Sequence, residues 1–395
     1  MVQDSRWLLP DGVDELVPPA ADALEGLRRE LLDLMRGWGY ALCVPATVEF
    51  LESLMVTGDA ALELQTFKLI DQASGRLLGL PADMTPQIAR IDAHRIGAAA
   101  PTRLCYLGQV LHTQPDKFAG SRNPLQLGAE LYGHAGIESD VEVISLMAEV
   151  LARAGVEEVT VDLCHMGIFH GLAEAAALGS ADEASLLDIL LRKAAAELPG
   201  LLARVGAAPA AVRWFTALLT LNGGADVLPR ARTLLPDAPA GVAAALTDLE
   251  ALVAALAENC PGLEIHIDLA DLRGYQYHTG VMFAAYTPRV GRAIARGGRY
   301  DNIGARFGRA RAATGFSADL KLLAGLGAGR LGRPANVYAP ADASPDLRKA
   351  VAEARARGLV VVRALPGQTG GARELGCLQE FRRGPDGHWQ ITDLA

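Results

Sequence analysis

Residues 170–258 combine a high content of alanine and leucine with a helical spacing of apolar side chains, and strand-like segments lie on both sides of them. Residues 160–164, before this stretch, have the composition of a strand. Residues 264–269, after it, alternate strictly between polar and apolar side chains, which is typical of a half-buried strand. Residues 280–286 are the expected hairpin partner of that strand. This pattern predicts an α+β fold in which a helical insertion interrupts a sheet domain.

Three amphipathic helices are predicted outside the insertion, at residues 20–38, 85–97 and 140–154, because apolar side chains recur there at steps of three and four. For the second helix, Thr85 is the expected N-cap and Pro86 the first helical residue. These helices would cover the predicted sheet.

A chain of 395 residues is long enough for two domains. The glycine- and arginine-rich residues 327–334 are predicted to be a linker. We therefore expect a domain of residues 1–325, which includes the insertion, and a small C-terminal α/β unit of residues 326–395. The small unit is predicted to hold a strand, a helix and a second strand, at residues 335–338, 344–357 and 359–362.

The composition argues against several classes of protein. The net charge of −9 disfavours a chain-wide nucleic-acid-binding surface. The five cysteines are scattered and contain no Cys-x-x-Cys pair, so no zinc site or disulfide framework is expected, and no metal or cofactor is predicted. The first ten residues lack the apolar segment of a signal peptide. No uncharged apolar stretch reaches the roughly 20 residues of a membrane span. The sequence thus predicts a cytoplasmic protein.

Asp83 is the first candidate ligand-binding residue. It lies just before a predicted helix start, within residues 79–85, where a carboxylate can meet the ammonium group of a ligand. The alternative is that Asp83 only supplements the helix cap and interacts with the helix dipole.

Gln126 and Glu130 form a second candidate pair. Gly128 lies between them and favours a strand, in which two residues four apart lie on the same face. An amide and a carboxylate on one face can bind an amine or a polar ring. The alternative is a solvated or internally paired strand face.

A third cluster runs from Arg273 to Gly280 and continues in the Gly-Gly-Arg-Tyr-Asp sequence of residues 297–301. Arg273 offers a planar fork for a carboxylate or phosphate, and Tyr277 and His278 add polar aromatic groups. Seven arginines fall between residues 289 and 311, and the sequence alone does not distinguish an anion-binding surface from a solvated face.

Together and in this order, the clusters resemble the histidyl-tRNA synthetase family of class II synthetases. Residues 106–133 resemble class II motif 2, residues 273–280 resemble the histidine-specific Arg-Gly-Leu-Asp-Tyr-Tyr-Thr-Gly motif, and residues 297–301 match a Gly-Gly-Arg-Tyr-Asp motif. The closest resemblance is to the regulatory subunits of ATP phosphoribosyltransferase, a paralogous family, through residues 82–90 and 277–280. The resemblance covers roughly residues 5–325 and implies a class II antiparallel sheet with flanking helices.

Two positions depart from the synthetase pattern. Amino-acid activation builds negative charge on the α-phosphate of ATP, and the synthetases meet it with one arginine in motif 2 and another in motif 3. His112 stands at the first of these positions and Leu322 at the second, while Asp319 replaces a glycine. Lys321 is a candidate for a substitute cation, and a neutral His112 can donate one hydrogen bond, but the negative charge of Asp319 works against both. Synthetase activity is therefore predicted to be lost, and no catalytic residue is assigned.

The amino-acid half of the site is better preserved. The resemblance implies that Asp83 replaces a glutamate that holds the ligand ammonium, and that Arg273 lies beside the carboxylate. It also implies a histidine-binding site made of the residues that match the family pocket, which are Asp83, Thr85, Gln126, Glu130, Arg273, Tyr277 and His278. His278 stands where the family has a tyrosine, and Asp83 has a shorter side chain than the family's glutamate.

These departures imply a non-catalytic regulatory subunit that binds histidine and assembles with a short-form catalytic ATP phosphoribosyltransferase subunit, as a hetero-octamer. Self-association as a dimer is expected through the motif 1 region, residues 20–50. The C-terminal unit is too short for the synthetases' anticodon-binding domain, so no tRNA binding is expected. Two alternatives remain open at this point: an active histidyl-tRNA synthetase, and a stand-alone synthetase-like module that binds an amino acid.

Overall fold

The chain divides into two units, residues 1–328 and residues 329–395, and each unit has its own β-sheets. The computed structural model describes residues 7–55, 60–114, 121–272, 278–327 and 336–394. The larger unit contains a nine-stranded sheet and a three-stranded sheet, and the smaller unit contains a four-stranded sheet.

The helices are α1 (Ala20–Gly37), α2 (Leu51–Leu54), α3 (Ala60–Gln65), α4 (Thr85–Ile91), α5 (Ile137–Arg153), α6 (Met166–Ala175), α7 (Ser180–Leu191), α8 (Leu198–Arg204), α9 (Pro209–Leu218), α10 (Val227–Leu234), α11 (Ala240–Asn259), α12 (Ile303–Arg306), α13 (Leu320–Leu326) and α14 (Pro345–Ala356). The strands are β1 (Ala41–Cys43), β2 (Glu49–Phe50), β3 (Phe67–Ile70), β4 (Leu77–Leu80), β5 (Thr102–Gln109), β6 (Leu125–Tyr132), β7 (Thr160–His165), β8 (Asn222–Gly223), β9 (Glu264–Asp268), β10 (Val281–Thr287), β11 (Val290–Arg299), β12 (Ala313–Asp319), β13 (Val337–Ala339), β14 (Val361–Arg363), β15 (Gln379–Arg383) and β16 (Trp389–Asp393).

The nine-stranded sheet has the order β1-β5-β6-β12-β11-β10-β7-β9-β8. The six central strands, β5 to β7 in that order, pair with one another in five antiparallel pairs. Parallel pairs occur only towards the edges, between β1 and β5 and between β7 and β9. This architecture confirms the predicted α+β class built on a largely antiparallel sheet.

The predicted hairpin between residues 264–269 and 280–286 is wrong. β9 pairs in parallel with β7, and β10 lies on the other side of β7. The hairpin partner of β10 is β11, which the sequence analysis did not assign as a strand. Alternation of side chains predicts a strand and its buried face, but it does not identify the neighbouring strand.

The helix that begins near Thr85 differs from the prediction at its first turn. Thr85 is itself the first helical residue, and its backbone N–H donates to Asp83 Oδ1 at 2.9 Å. The predicted Thr85 cap is therefore wrong, and Asp83 instead accepts the backbone N–H of the first helical residue. A π-helical turn, Asp92–Ile96, continues α4, and Gly97 ends it in the left-handed conformation with φ of 61°.

The helical insertion is not separate from the main core. α11 packs against α5 and α6 through an apolar stripe that includes Val242, Leu249 and Leu256, each fully buried. Burial of each such side chain stabilises the fold by about 1.5–3 kcal/mol. Length and hydropathy alone would allow α11 to cross a membrane, but this buried stripe is that of a core helix.

The smaller unit packs α14 against a sheet of order β14-β13-β15-β16. Its core contains Val337, Leu347, Val351 and Phe381. The Ser344 hydroxyl caps α14 by accepting the backbone N–H of Leu347 at 3.3 Å. The predicted strand–helix–strand order is confirmed here, and two further strands, β15 and β16, complete the sheet.

Candidate functional site

A cavity of about 480 Å³ lies on one face of the nine-stranded sheet, over β6, β12 and β11. The register of these strands explains which side chains reach it, because residues directly opposite each other project to the same face. Gln126 is opposite Asp319, and Glu130 is opposite Gly315. Ser317 is opposite Arg296 on the next strand. Each of these residues lines the cavity.

Asp83 and Gln126 form one wall through a set of short contacts. Gln126 Nε2 donates to Asp83 Oδ1 at 2.8 Å, and Gln126 Oε1 accepts the backbone N–H of Met84 at 2.9 Å. Both ends of the Gln126 amide therefore hold the segment before α4. The alternative interpretation of Asp83, a role at the start of α4, holds for its Oδ1 atom, which accepts the Thr85 backbone N–H. Asp83 also lines the cavity.

Glu130 lies at the buried end of the cavity, with an exposed fraction of 1%. Tyr106 donates its hydroxyl to Glu130 Oε1 at 3.1 Å, and Tyr300 donates to Oε2. Thr85 Oγ1 lies 3.1 Å from the Tyr106 hydroxyl. One hydrogen-bonded network thus joins Thr85 of α4, Tyr106 of β5, Glu130 of β6 and Tyr300, the residue after β11.

The Glu130 carboxyl is electrostatically unusual. Burial raises its pKa to about 8, while the Tyr300 hydrogen bond opposes the rise and the nearby charge of Asp83 adds to it. Near neutral pH the group therefore holds a proton in most molecules. It can then donate a hydrogen bond as well as accept one, which suits a polar ring that presents both kinds of group.

Two glycines, Gly315 in the cavity lining and Gly128 beside Tyr106, make room for this network. A Cβ at Gly315 would lie 1.5 Å from Glu130 Oε2, and a Cβ at Gly128 would lie 2.3 Å from the Tyr106 ring. A side chain at either position would displace the buried polar groups.

The two histidines of the site occupy different walls. His112 lines the cavity, and its Nε2 lies 2.9 Å from the Ala82 carbonyl oxygen. Its backbone N–H donates to the Arg122 carbonyl at 2.8 Å. His278 also lines the cavity, with its ring packed over Gly298, where a Cβ would lie 2.5 Å from His278 Cδ2.

The segment from Asp319 to Leu322 ends the cavity at α13. Asp319 caps α13 by accepting the Lys321 backbone N–H at 3.0 Å. Burial raises the pKa of the Asp319 carboxyl, although hydrogen bonds from the backbone N–H groups of Lys321 and Leu125 oppose the rise. The Lys321 ammonium donates to Asp14 Oδ1 at 3.1 Å and to the Asn123 carbonyl at 2.8 Å. Lys321 is not among the residues that line the cavity, whereas Leu322 is.

The run of seven arginines is neither a solvated face nor one anion-binding surface. Arg299 and Arg311 are buried and pair with Asp140 and Asp92, at 2.6 Å and 2.9 Å. Arg289 and Arg309 donate to backbone carbonyls of Leu326 and Ala98. Arg292 and Arg296, by contrast, line the cavity from β11.

The sequence analysis missed four residues of the site, three in the cavity lining and Tyr106 in the network around Glu130. Tyr106 and Tyr300 lay inside the recognised motifs but were not assigned to the site, and Arg292 and Arg296 were not singled out from the arginine run. Period-two spacing from Gly298 was the available signal for Arg292, Arg296 and Tyr300. No such spacing links Tyr106 on β5 to Glu130 on β6. Arg273 and Tyr277, two predicted histidine-binding residues, lie outside the described residues.

No cluster that could hold a metal ion occurs among the residues that the structure describes. The five cysteines, all within the described ranges, are free thiols, and three of them (Cys105, Cys164 and Cys377) are buried.

In a comparison with known proteins, the two units match two different family descriptions. Residues 12–323 match the histidyl-tRNA synthetase family, and residues 334–392 match the C-terminal domain of the ATP phosphoribosyltransferase subunit HisZ. A histidyl-tRNA synthetase from Nostoc sp. PCC 7120, 19% identical, superimposes with a TM-score of 0.79 over 98% of this chain and 97% of its own, which is a likeness of fold.

The chain is 51% identical to an ATP phosphoribosyltransferase regulatory subunit of Thioalkalivibrio sulfidiphilus over the full length of both proteins. It is 50% identical to the Pseudomonas aeruginosa protein of the same name, also over the full length of both. A Bacillus halodurans C structure described as an ATP phosphoribosyltransferase regulatory subunit/histidyl-tRNA synthetase is 28% identical, with a TM-score of 0.83 over 96% of this chain and 98% of its own. The chain therefore belongs to the family of ATP phosphoribosyltransferase regulatory subunits, whose larger unit has the histidyl-tRNA synthetase fold.

Proposed function

We propose that this chain has no catalytic activity of its own, binds histidine in the cavity, and transmits feedback inhibition to a short-form catalytic ATP phosphoribosyltransferase subunit. That partner would join ATP to phosphoribosyl pyrophosphate, the first step of histidine biosynthesis. Histidine binding and catalysis would then be linked as a coupling between two sites. The proposed location is the cytoplasm, where such a pathway operates.

The composition of the cavity is the observation that carries this proposal. Asp83 and Glu130 supply an acidic, hydrogen-bonding end that suits an ammonium group and an imidazole ring. His112 and Leu322 occupy the places of the two arginines that a synthetase would use. Loss of even one preorganised donor costs about 10²–10³ in rate, so activation of the bound amino acid is not expected.

None of the three nearby cations, Lys321, Arg292 and Arg296, supports a return of synthetase activity. The Lys321 ammonium is held by Asp14 and Asn123 and does not line the cavity. Arg292 and Arg296 arise from β11, which is three strand positions from β5, the strand that precedes His112. At about 4.8 Å per strand this separation is about 14 Å, so the two arginines mark a different part of the cavity.

A dimer through the motif 1 region remains part of the proposal. β1, a short strand, lies at an edge of the nine-stranded sheet. Large apolar side chains are exposed on and just after β1, at Leu42 and Val44, and on the three-stranded sheet, at Ile70 and Leu77. Exposed large apolar side chains are candidates for an interaction site where they lie together. Assembly with the catalytic subunit into a hetero-octamer, and absence of tRNA binding, are proposed from the resemblance alone.

The experiment mixes this chain with a short-form catalytic subunit and follows turnover of ATP and phosphoribosyl pyrophosphate while histidine is titrated. We expect turnover to rise when the chain is added and to fall as histidine is added. Glu130→Gln should weaken the histidine inhibition and leave the activation intact, because Glu130 faces the cavity and not the protein surface.

Glu142→Gln provides a matched control. Glu142 pairs with Arg103 at 2.6 Å and is not a cavity residue. Its inhibition curve should superimpose on that of the unmodified chain. Inhibition that is unchanged in Glu130→Gln would remove the cavity from the regulatory mechanism.

A further inference from the structure

Residues 81–84 carry Asp83 to the cavity and lead directly into α4. This segment is neither helix nor strand, so contacts with other elements must fix its position. Gln126 supplies two of them, to the Asp83 carboxylate and to a backbone N–H of the segment. A third comes from His112, whose Nε2 lies 2.9 Å from the Ala82 carbonyl oxygen.

The Ala82 carbonyl depends on a donor from outside the helix that follows it. The residue four positions further on is Pro86, which has no backbone N–H, and the Thr85 N–H donates to Asp83 Oδ1 instead. Ala82 is 6% exposed, and a buried carbonyl without a partner is costly. Because a carbonyl can only accept, His112 Nε2 must carry the proton of this bond.

The backbone of His112 is itself fixed through both of its polar groups. Its N–H donates to the Arg122 carbonyl at 2.8 Å, and its carbonyl oxygen accepts Arg122 Nε at 3.0 Å. The neighbouring Leu111 N–H donates to the Pro81 carbonyl at 3.1 Å. The imidazole therefore approaches Ala82 from a backbone that is held in place, and its hydrogen bond extends that constraint to residues 81–84.

Asp83 keeps one carboxylate oxygen for a ligand. Its Oδ1 accepts the Gln126 side-chain amide and the Thr85 backbone N–H, whereas no hydrogen bond from the described residues reaches Oδ2. A ligand ammonium is a strong partner for such an oxygen. Because hydrogen bonds fail beyond about 3.5 Å, a displacement of the segment by about 1 Å would break that contact.

We propose that His112 is a positioning residue for amino-acid recognition, which holds the Ala82 carbonyl and thereby keeps Asp83 Oδ2 where it can accept the ligand ammonium. The identity of that ligand, histidine, rests on the proposed function. His112 therefore does more than remove the cation of the synthetases, because its ring supports the ammonium end of the cavity.

The test compares His112→Gln with His112→Met in calorimetry of the full chain with histidine. The two new side chains have nearly the same length, but only the glutamine amide can donate to the Ala82 carbonyl. His112→Met should bind histidine about 10-fold more weakly or worse, and His112→Gln within about 3-fold of the unmodified chain, because only the first leaves a buried acceptor without a partner. His388→Ala removes an exposed histidine of the smaller unit, outside the cavity, and should leave the affinity unchanged.

Histidinol separates positioning from direct contact with the ligand. It keeps the ring and the ammonium group of histidine but lacks the carboxylate. Because the ammonium is the group that Asp83 meets, His112→Met should weaken the binding of histidine and of histidinol by the same factor. A loss confined to histidine would show that His112 binds the ligand carboxylate itself, and would overturn the proposal.

Amide exchange without ligand tests the same role independently of histidine binding. In His112→Met the Met84 and Thr85 amides should exchange at least about 10-fold faster than in the unmodified chain, and in His112→Gln at nearly the unmodified rate. Equal exchange in the two variants, or equal histidine affinities, overturns the proposal. Circular dichroism verifies that each variant folds. If the unmodified chain binds no histidine, the proposed function fails, while the exchange comparison still decides whether His112 fixes the segment.

Discussion

Replacing Glu130 by glutamine should change how the stability of the protein depends on pH. The folded protein holds the Glu130 proton up to a pH of about 8, whereas the ordinary value for the carboxyl is 4.5. Between these values the folded state binds more protons than the unfolded state, so the free energy of unfolding falls as pH rises. The glutamine variant lacks this titration.

The size of the effect follows from the shift. A difference of one pKa unit corresponds to about 1.36 kcal/mol, so the full interval from 4.5 to about 8 is worth at most about 5 kcal/mol. Between pH 6 and pH 8 the interval is about 2 units, or about 3 kcal/mol. Above pH 8 the Glu130 carboxyl loses its proton in the folded state too, so its contribution to the free energy of unfolding should stop changing with pH. The unfolding free energy of Glu130→Gln minus that of the unmodified chain should therefore rise by about 3 kcal/mol from pH 6 to pH 9.

Urea unfolding at pH 6, 7, 8 and 9 measures this difference, because the other titrating groups cancel in the subtraction. Glu142→Gln is the control. Burial raises the Glu142 pKa, but hydrogen bonds from Arg103 and Tyr40 outweigh it and hold the pKa below its ordinary value. The carboxyl is then ionised in both states above pH 6, and the corresponding difference should be flat. A flat difference for Glu130→Gln as well would refute the assignment of a protonated carboxyl in the cavity.

Three further changes have expected outcomes. Arg299→Ala should lower the free energy of unfolding by about 3–5 kcal/mol in urea titrations, because it leaves the buried carboxylate of Asp140 without its partner; a loss below about 1 kcal/mol would contradict this. Gly315→Ala should abolish calorimetric histidine binding, since its Cβ would overlap Glu130, and unchanged affinity would show that the network tolerates displacement. Ser344→Ala should destabilise the smaller unit by about 1 kcal/mol through loss of the α14 cap, with amide exchange in α14 as the measurement; unaltered exchange would argue against the cap.

Local patterns predicted some of the elements around the site, among them β6 and α5, but not β11. The period of two placed Gln126 and Glu130 on one face of a strand, and β6 has them there. The apolar period of α5 predicted a stripe that is buried in the structure. These predictions succeeded because burial of one face determines the sequence pattern of a single element.

Properties that depend on partners distant in the sequence were not predictable in this way. Strand alternation did not reveal that β9 lies beside β7 and not beside β10. The arginine run did not reveal which guanidinium groups are paired, because Asp140 and Asp92 lie more than 150 residues away in sequence from Arg299 and Arg311. The alternating pattern of β6 did not show that the Gln126 side-chain amide bonds through both its oxygen and its nitrogen to the segment before α4. Such pairings are fixed by the tertiary fold.

Histidine-dependent exchange between ATP and pyrophosphate tests the central claim most directly, because that reaction requires activation of the bound amino acid. The assay uses the chain alone, at a histidine concentration that calorimetry shows to be saturating. We predict histidine binding without exchange above the background of a protein-free sample, since His112 and Leu322 stand where cationic donors are needed. Exchange that increases with the concentration of the chain would contradict the regulatory assignment.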